Sequence, residues 1–189
     1  MRFILFILLS STLSYSQLLD GEISIMYSGE QLFHPGFKIA IDHDLYVKTK
    51  TKGKKEKQIT RSKGYSLFSG TYLHPHNNFH LYLGSNYYIK RTNHKGRSCS
   101  IQLGLGAGRV SFLQPTYTLE NGSLSKVHLA GRWTVFPNLK FQLTYPSNFI
   151  LDGSSLKLGF WNQYQFPYNN RGAYIFGFDL GIDLPNKAE

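Results

Sequence analysis

Two-residue alternation of apolar and polar side chains runs through most of this 189-residue chain. An extended strand points successive side chains to opposite faces, so this period dictates a sheet with one apolar face. The C-terminal stretch shows it best. Tyr174, Phe176, Phe178, Leu180, Ile182 and Leu184 fall on one face, and Ala173, Ile175, Gly177, Asp179, Gly181 and Asp183 on the other. Residues 156–166 repeat the pattern: Leu156, Leu158, Phe160, Tyr164 and Phe166 oppose Lys157, Gly159, Trp161, Gln163 and Gln165, with Asn162 interrupting the apolar row. The same period marks residues 37–47, 79–90, 101–108, 127–135 and 139–145, while 64–73 are strand-like without a clear face. That makes eight strands. Asn121-Gly122 and Asp152-Gly153 are strong hairpin signals. Pro137-Asn138, His94-Lys95-Gly96, residues 169–172 and residues 74–78 are read as further turns.

Composition agrees with an all-β chain. Aromatics reach 15%, Gly numbers 18, and charged residues are 17%, below the roughly 25% of soluble domains. Abundant aromatics and glycines argue against a helical bundle, and abundant aromatics argue against disorder. The length suits one domain. A single Cys excludes an internal disulfide framework and any Cys-rich zinc module.

Residues 1–16 read as a secretory leader. Arg2 supplies the positive end, Phe3 to Leu9 the apolar run, and Ser14-Tyr15-Ser16 a small-x-small cleavage site. The apolar run is too short to span a bilayer, and no later stretch reaches the roughly 18–20 apolar residues a membrane helix needs. Residues 17–33 are an N-terminal extension or a short extra strand, 34–184 a β-barrel, and 185–189 a C-terminal tail.

A soluble ligand-binding barrel turns its apolar face inward, whereas a membrane barrel turns it to lipid and keeps a polar interior. The polar faces here carry Gly, Gln, Thr, Asn and charges of both signs, which suits a narrow barrel interior. Lys38, Asp42, Asp44, Arg132, Lys157, Asp179 and Asp183 are expected to point inward as an ion-pair network, with Lys38 near Asp179 or Asp183. Eight strands leave an interior that side chains can fill, so such a network is a plug and not a channel. Tyr87, Trp133, Tyr145, Tyr164, Phe166 and Tyr174 are placed for aromatic girdles at the lipid boundary.

With these strands, the Gly-rich run Leu103-Gly104-Leu105-Gly106-Ala107-Gly108 and the aromatic terminal strand, the chain resembles the small eight-stranded outer-membrane β-barrel proteins of Gram-negative bacteria over residues 34–184. The resemblance implies an up-and-down antiparallel transmembrane barrel with both termini periplasmic. It implies insertion by the barrel-assembly machinery, contact with outer-membrane lipid and lipopolysaccharide, and a monomer. Barrels of this kind usually end on an aromatic residue, whereas this chain continues as Pro185-Asn186-Lys187-Ala188-Glu189 after Leu184. The family spans adhesins, structural anchors and lipid A-modifying enzymes, so the expected role is structural or surface-interacting.

Lys48, Lys50, Lys52, Lys54, Lys55, Lys57, Arg61 and Lys63 surround a single acid, Glu56. This stretch is read as one long basic loop, solvated and extended by its own repulsion. If the strand before it runs outward, the loop faces outside and can meet lipopolysaccharide phosphates. Nucleic acid is not expected as a partner, because export removes it and no aromatic interleaves the lysines. His74, His76 and His80 are read as an exposed turn rather than a metal site, since no Cys or acid in that turn completes a ligand set. Ser100, Ser111, His128 and Asp179 are the hydrolase-type residues available, but no spacing singles out a triad. No catalytic residue, cofactor or metal is assigned. Cys99 is read as a small packed residue. The alternatives are a soluble exported barrel holding an apolar ligand and a lipid A-modifying barrel enzyme.

Overall fold

The computed structural model describes residues 21–185, except 31–33, 53–56, 75–76, 121, 129, 148–150 and 169–170. The leader at 1–16, Lys54, Lys55, His76 and most of the C-terminal tail lie outside the described residues. The chain is all-β. Its strands are β1 (Glu22–Glu30), β2 (Gly36–Lys52), β3 (Lys57–His74), β4 (Asn78–Thr92), β5 (Ser98–Phe112), β6 (Thr116–Glu120), β7 (Ser123–Val127), β8 (Gly131–Pro146), β9 (Ser155–Tyr168) and β10 (Arg171–Asp183). Eight of them close into an antiparallel barrel in the order β1-β10-β9-β8-β5-β4-β3-β2, and β6 and β7 form a separate hairpin.

The count of eight matches the sequence reading, but the membership differs in two places, at the N-terminal strand and around Pro137. Residues 22–30 are a full member of the ring. Ile25 pairs with Ile182 on one side and with Ile39 on the other. The barrel therefore starts at Glu22 and not at residue 34. Conversely, residues 127–135 and 139–145 do not form two strands. Pro137-Asn138 is no turn but lies within β8. Opposite β5 the ladder runs unbroken through Leu105↔Pro137 and Gly104↔Asn138. Opposite β9 the pairing lapses at Phe136 and Pro137 and resumes at Asn138↔Gln163. A proline has no N–H to donate, so the strand tolerates it where one ladder is interrupted.

The described residues of the basic stretch, Lys48, Lys50, Lys52, Lys57, Arg61 and Lys63, lie on strands and not in a loop. β2 and β3 stay paired from Gly36↔Tyr72 as far as Lys52↔Lys57. A register shift between Asp44 and Tyr46 flips the side-chain phase there. Asp44 keeps the face of Asp42, and beyond it Tyr46, Lys48 and Lys50 lie opposite Lys63, Arg61 and Ile59. Three of the expected reversals carry glycine where it is needed, with Gly96, Gly122 and Gly153 at φ of +74°, +80° and +77°, a region that favours glycine; the expected turns at 74–78 and 169–172 lie partly outside the described residues.

Burial separates the two faces of the ring. Ser24, Lys38, Asp42, His80, Gln102, Thr134, Lys140, Lys157, Gln165 and Asp179 are buried inside, with an aromatic cluster of Phe68, Tyr72, Tyr82 and Phe136 around Met26 and Ala40. The aliphatic and aromatic residues of the other phase, such as Leu103, Phe176 and Leu180, are exposed outside. Glycines on the inner face make room for the largest inner side chains. A Cβ at Gly106 would run into the Phe136 ring, and one at Gly177 into the Trp161 indole.

Candidate functional site

The interior is a neutral stack of two ionic groups. On β10, Asp179 accepts from Lys38 of β2 at 3.0 Å and Lys140 of β8 at 2.7 Å. Its other oxygen takes Ser28 Oγ at 2.7 Å and the Trp161 indole N–H at 3.1 Å. Four residues along the same strand, Lys157 of β9 sits between Asp183 at 2.6 Å and Asp42 at 2.8 Å, and also donates to Ser24 Oγ at 2.7 Å. The first group holds two lysines and one aspartate; the second holds one lysine and two aspartates. Their excess charges cancel. Buried ions are tolerated when each is paired and hydrogen-bonded, and both groups meet that condition. The void among Lys38, Phe68, Tyr82, Phe136, Lys140 and Trp161 is only about 20 Å³, room for roughly one water molecule.

Of the residues expected inside, Lys38, Asp42, Lys157, Asp179 and Asp183 belong to these groups. Asp44 sits nearer the rim, where it accepts from Tyr88 Oη at 2.6 Å and faces Lys90 at 3.4 Å, with Glu22 3.3 Å from the same ammonium. Arg132 is placed differently. It lies at the start of β8, toward the other rim, with its guanidinium 6.0 Å from the Phe112 ring. Lys140 was not singled out by the sequence, although its place beside Leu139 and Phe141 put it on the polar face.

The outer face is a belt without charge. From Phe37 to His43, Tyr65 to Leu73, Phe79 to Ile89, Cys99 to Ala107 and Trp133 to Tyr145, no outward position carries Lys, Arg, Asp or Glu, nor does any on β9, on β1 or from Tyr174 to Ile182 on β10 among the described residues. Cations begin at its margins. Arg109 lies 5.5 Å from the Trp133 ring at one rim, and Arg97 5.7 Å from the Tyr145 ring at the other. Tyr164 and Tyr174 pack together at 4.9 Å. Cys99 is exposed on this belt and not packed in the core.

Directly beyond the belt, three strands line up their cations. Lys48 pairs with Arg61, and Arg61 with Arg91. With Tyr46, Lys50, Ile59, Lys63 and Ile89 they line a groove of about 470 Å³ on the outside of the ring. Like charges directly opposite one another destabilise a sheet, so this row calls for an anion. The start of β1 and the end of β10 share its rim. The strand leading into the basic stretch is the second and not the first. The basic groove therefore lies at the same end of the ring as the start of β1 and the end of β10, and the condition for an outward-facing stretch, a first strand leading into it, is not met.

The histidines also depart from the expected exposed turn. His80 is fully buried, with Nε2 3.2 Å from Thr134 Oγ1. His74 Nε2 is 3.2 Å from the buried Glu30 carboxylate, and its ring lies 3.6 Å from that of His34. Burial and the neighbouring His74 hold the His34 imidazole below its ordinary value, against the opposing pull of Glu30. The hydrolase-type residues are not brought together: Ser100 and Ser111 stand toward opposite ends of β5, His128 follows β7, and Asp179 is occupied by lysines.

No family model, curated protein or solved structure matches this chain. What the geometry itself defines is an all-β protein whose eight-stranded antiparallel ring is apolar outside and ionic inside.

Proposed function

We propose that this chain is an outer-membrane β-barrel protein with a plugged interior and a structural, lipid-contacting role. One observation carries the reading: the uncharged apolar belt faces outward while the paired lysines and aspartates face inward. A lipid-facing strand needs about 9–11 tilted residues, and β1, the shortest strand of the ring, has nine. A soluble carrier of an apolar ligand needs an apolar interior, which the ionic groups and the 20 Å³ void do not offer. With the termini on the periplasmic side, the groove of Lys48, Arg61 and Arg91 meets the phosphates of inner-leaflet phospholipids and not lipopolysaccharide. The role is that of an anchor, with no catalytic step.

The test is gel mobility of the envelope-extracted protein, boiled and unboiled. The expected result is extraction only with detergent and a faster-migrating band without boiling. Release by a salt wash together with a single heat-independent band overturns the proposal.

A further inference from the structure

At the rim away from the termini, three potential ligand groups converge from three parts of the chain. Glu30 ends β1, His34 follows in the β1–β2 connection, and His74 ends β3. One ligand atom from each lies within 4.8 Å of the others. The backbone fixes this arrangement. Glu30 and His34 exchange N–H···O bonds of 3.0 Å in both directions, and the Leu73 N–H donates to the Pro35 carbonyl at 3.0 Å.

We infer that Glu30, His34 and His74 form a binding site for a divalent transition-metal ion of the zinc type. The His–Glu pair alone leaves the cluster incompletely satisfied. The Glu30 carboxylate is buried and has room for several donors, yet among the described residues its hydrogen-bonding partner is the single nitrogen of His74. His34 Nδ1 is buried without a hydrogen bond, a state that is costly for a polar atom. A cation would use these lone pairs together. Two imidazoles and a carboxylate are a known ligand type for zinc, which leaves a fourth position open. Tetrahedral zinc with bonds near 2.1 Å sets its ligands about 3.4 Å apart. His74 and Glu30 already stand at 3.2 Å, so a small closure of the His34 ring completes the site. The ion would staple the β1–β2 connection to the end of β3 and brace the barrel mouth. Its assignment does not depend on whether the barrel sits in a membrane.

The probe is cobalt(II), added to the full chain folded in detergent micelles without a histidine tag. One equivalent is expected to develop visible d–d absorption, to be displaced by zinc and to be stripped by a chelator. His34→Ala and Glu30→Gln should each weaken binding at least tenfold, whereas His94→Ala, in the β4–β5 turn at the other rim, should leave it unchanged. Unboiled gel mobility checks that each variant is folded. X-ray absorption of the zinc-loaded wild type supplies a readout independent of the variants, with two imidazoles expected on the metal. No cobalt spectrum from the wild type, an unchanged affinity in folded His34→Ala, or fewer than two imidazoles overturns the site.

Discussion

Lys38 on β2 reaches Asp179 on β10 at 3.0 Å although β1 runs between those two strands. The contact spans the seam at which the ring closes, and Lys140 completes it from β8 at 2.7 Å. Asp179 is thus the single anion between two buried ammoniums. Replacing it by Asn keeps the shape and leaves both lysines uncompensated. Removing one partner of a buried ion pair typically costs about 3–5 kcal/mol. Asp179→Asn is therefore expected to lower the urea midpoint of the folded barrel with an unchanged slope. A midpoint equal to that of the wild type would show that the group does not hold the seam.

Gly106 and Phe136 test the packing of the interior. The Phe136 ring occupies the space that a Cβ at Gly106 would take, and Phe136 is itself fully buried. Gly106→Ala should destabilise by about 1–3 kcal/mol, the usual range for overpacking a filled core. Gly106→Ala combined with Phe136→Leu should recover part of the loss. Equal urea midpoints for Gly106→Ala and the wild type would place the ring elsewhere.

The faces of the sheet were legible because alternation survives wherever one side is apolar. Its phase even carries through Pro137, where Val135 and Leu139 share parity. A proline between two runs suggests a turn, yet the unbroken phase argues for one long strand, which is what β8 forms. β1 was harder to read. Met26 occupies its inner face among Ser24 and Ser28, so the nine residues show no clean polar row. Whether residues 17–33 join the ring decides at which end the basic stretch lies, since each added strand inverts the chain direction, and alternation alone leaves that open. The ionic partners were only half legible. Alternation places these Lys and Asp residues on the inner face, but which ammonium meets which carboxylate depends on stagger between strands distant in sequence. Glu30, His34 and His74 are not marked either: Glu30 and His34 meet across the tight β1–β2 connection, and His74 joins them only through the pairing of β3 beside β2, which the sequence reading of residues 17–33 does not specify.

Leu103 and Leu119 separate a lipid-facing surface from an ordinary exposed one. They are similarly exposed, at 64% and 71%, but Leu103 lies on the belt and Leu119 on the β6–β7 hairpin outside the ring. A lysine at the bilayer midplane costs a barrel about 2–4 kcal/mol. An unremarkable surface position changes stability by about 0.5 kcal/mol or less. For folding into phosphatidylcholine vesicles, Leu103→Lys should be destabilised on the larger scale and Leu119→Lys on the smaller. Equal effects would mean that lipid does not cover the belt.

The cation row gives the last prediction. Lys48, Arg61 and Arg91 stand in register on three neighbouring strands, just beyond Ile89 and the uncharged belt. Their mutual repulsion is relieved when a phosphate sits among them. Each such cation contributes about 1 kcal/mol to attraction for an anionic lipid surface, so three together correspond to about two orders of magnitude in affinity. The barrel in neutral detergent micelles is expected to bind short-chain phosphatidylglycerol in preference to phosphatidylcholine. Added salt should erode that preference, because the groove is solvent-facing and open to screening. The variant carrying Lys48→Ala, Arg61→Ala and Arg91→Ala should lose the preference while keeping its urea midpoint, or gaining slightly as the repulsion disappears. Equal binding of the two lipids by the wild type would leave the row a solvated charged margin. A preference retained by the triple variant would move the lipid contact to other cations, such as Arg97 or Arg109.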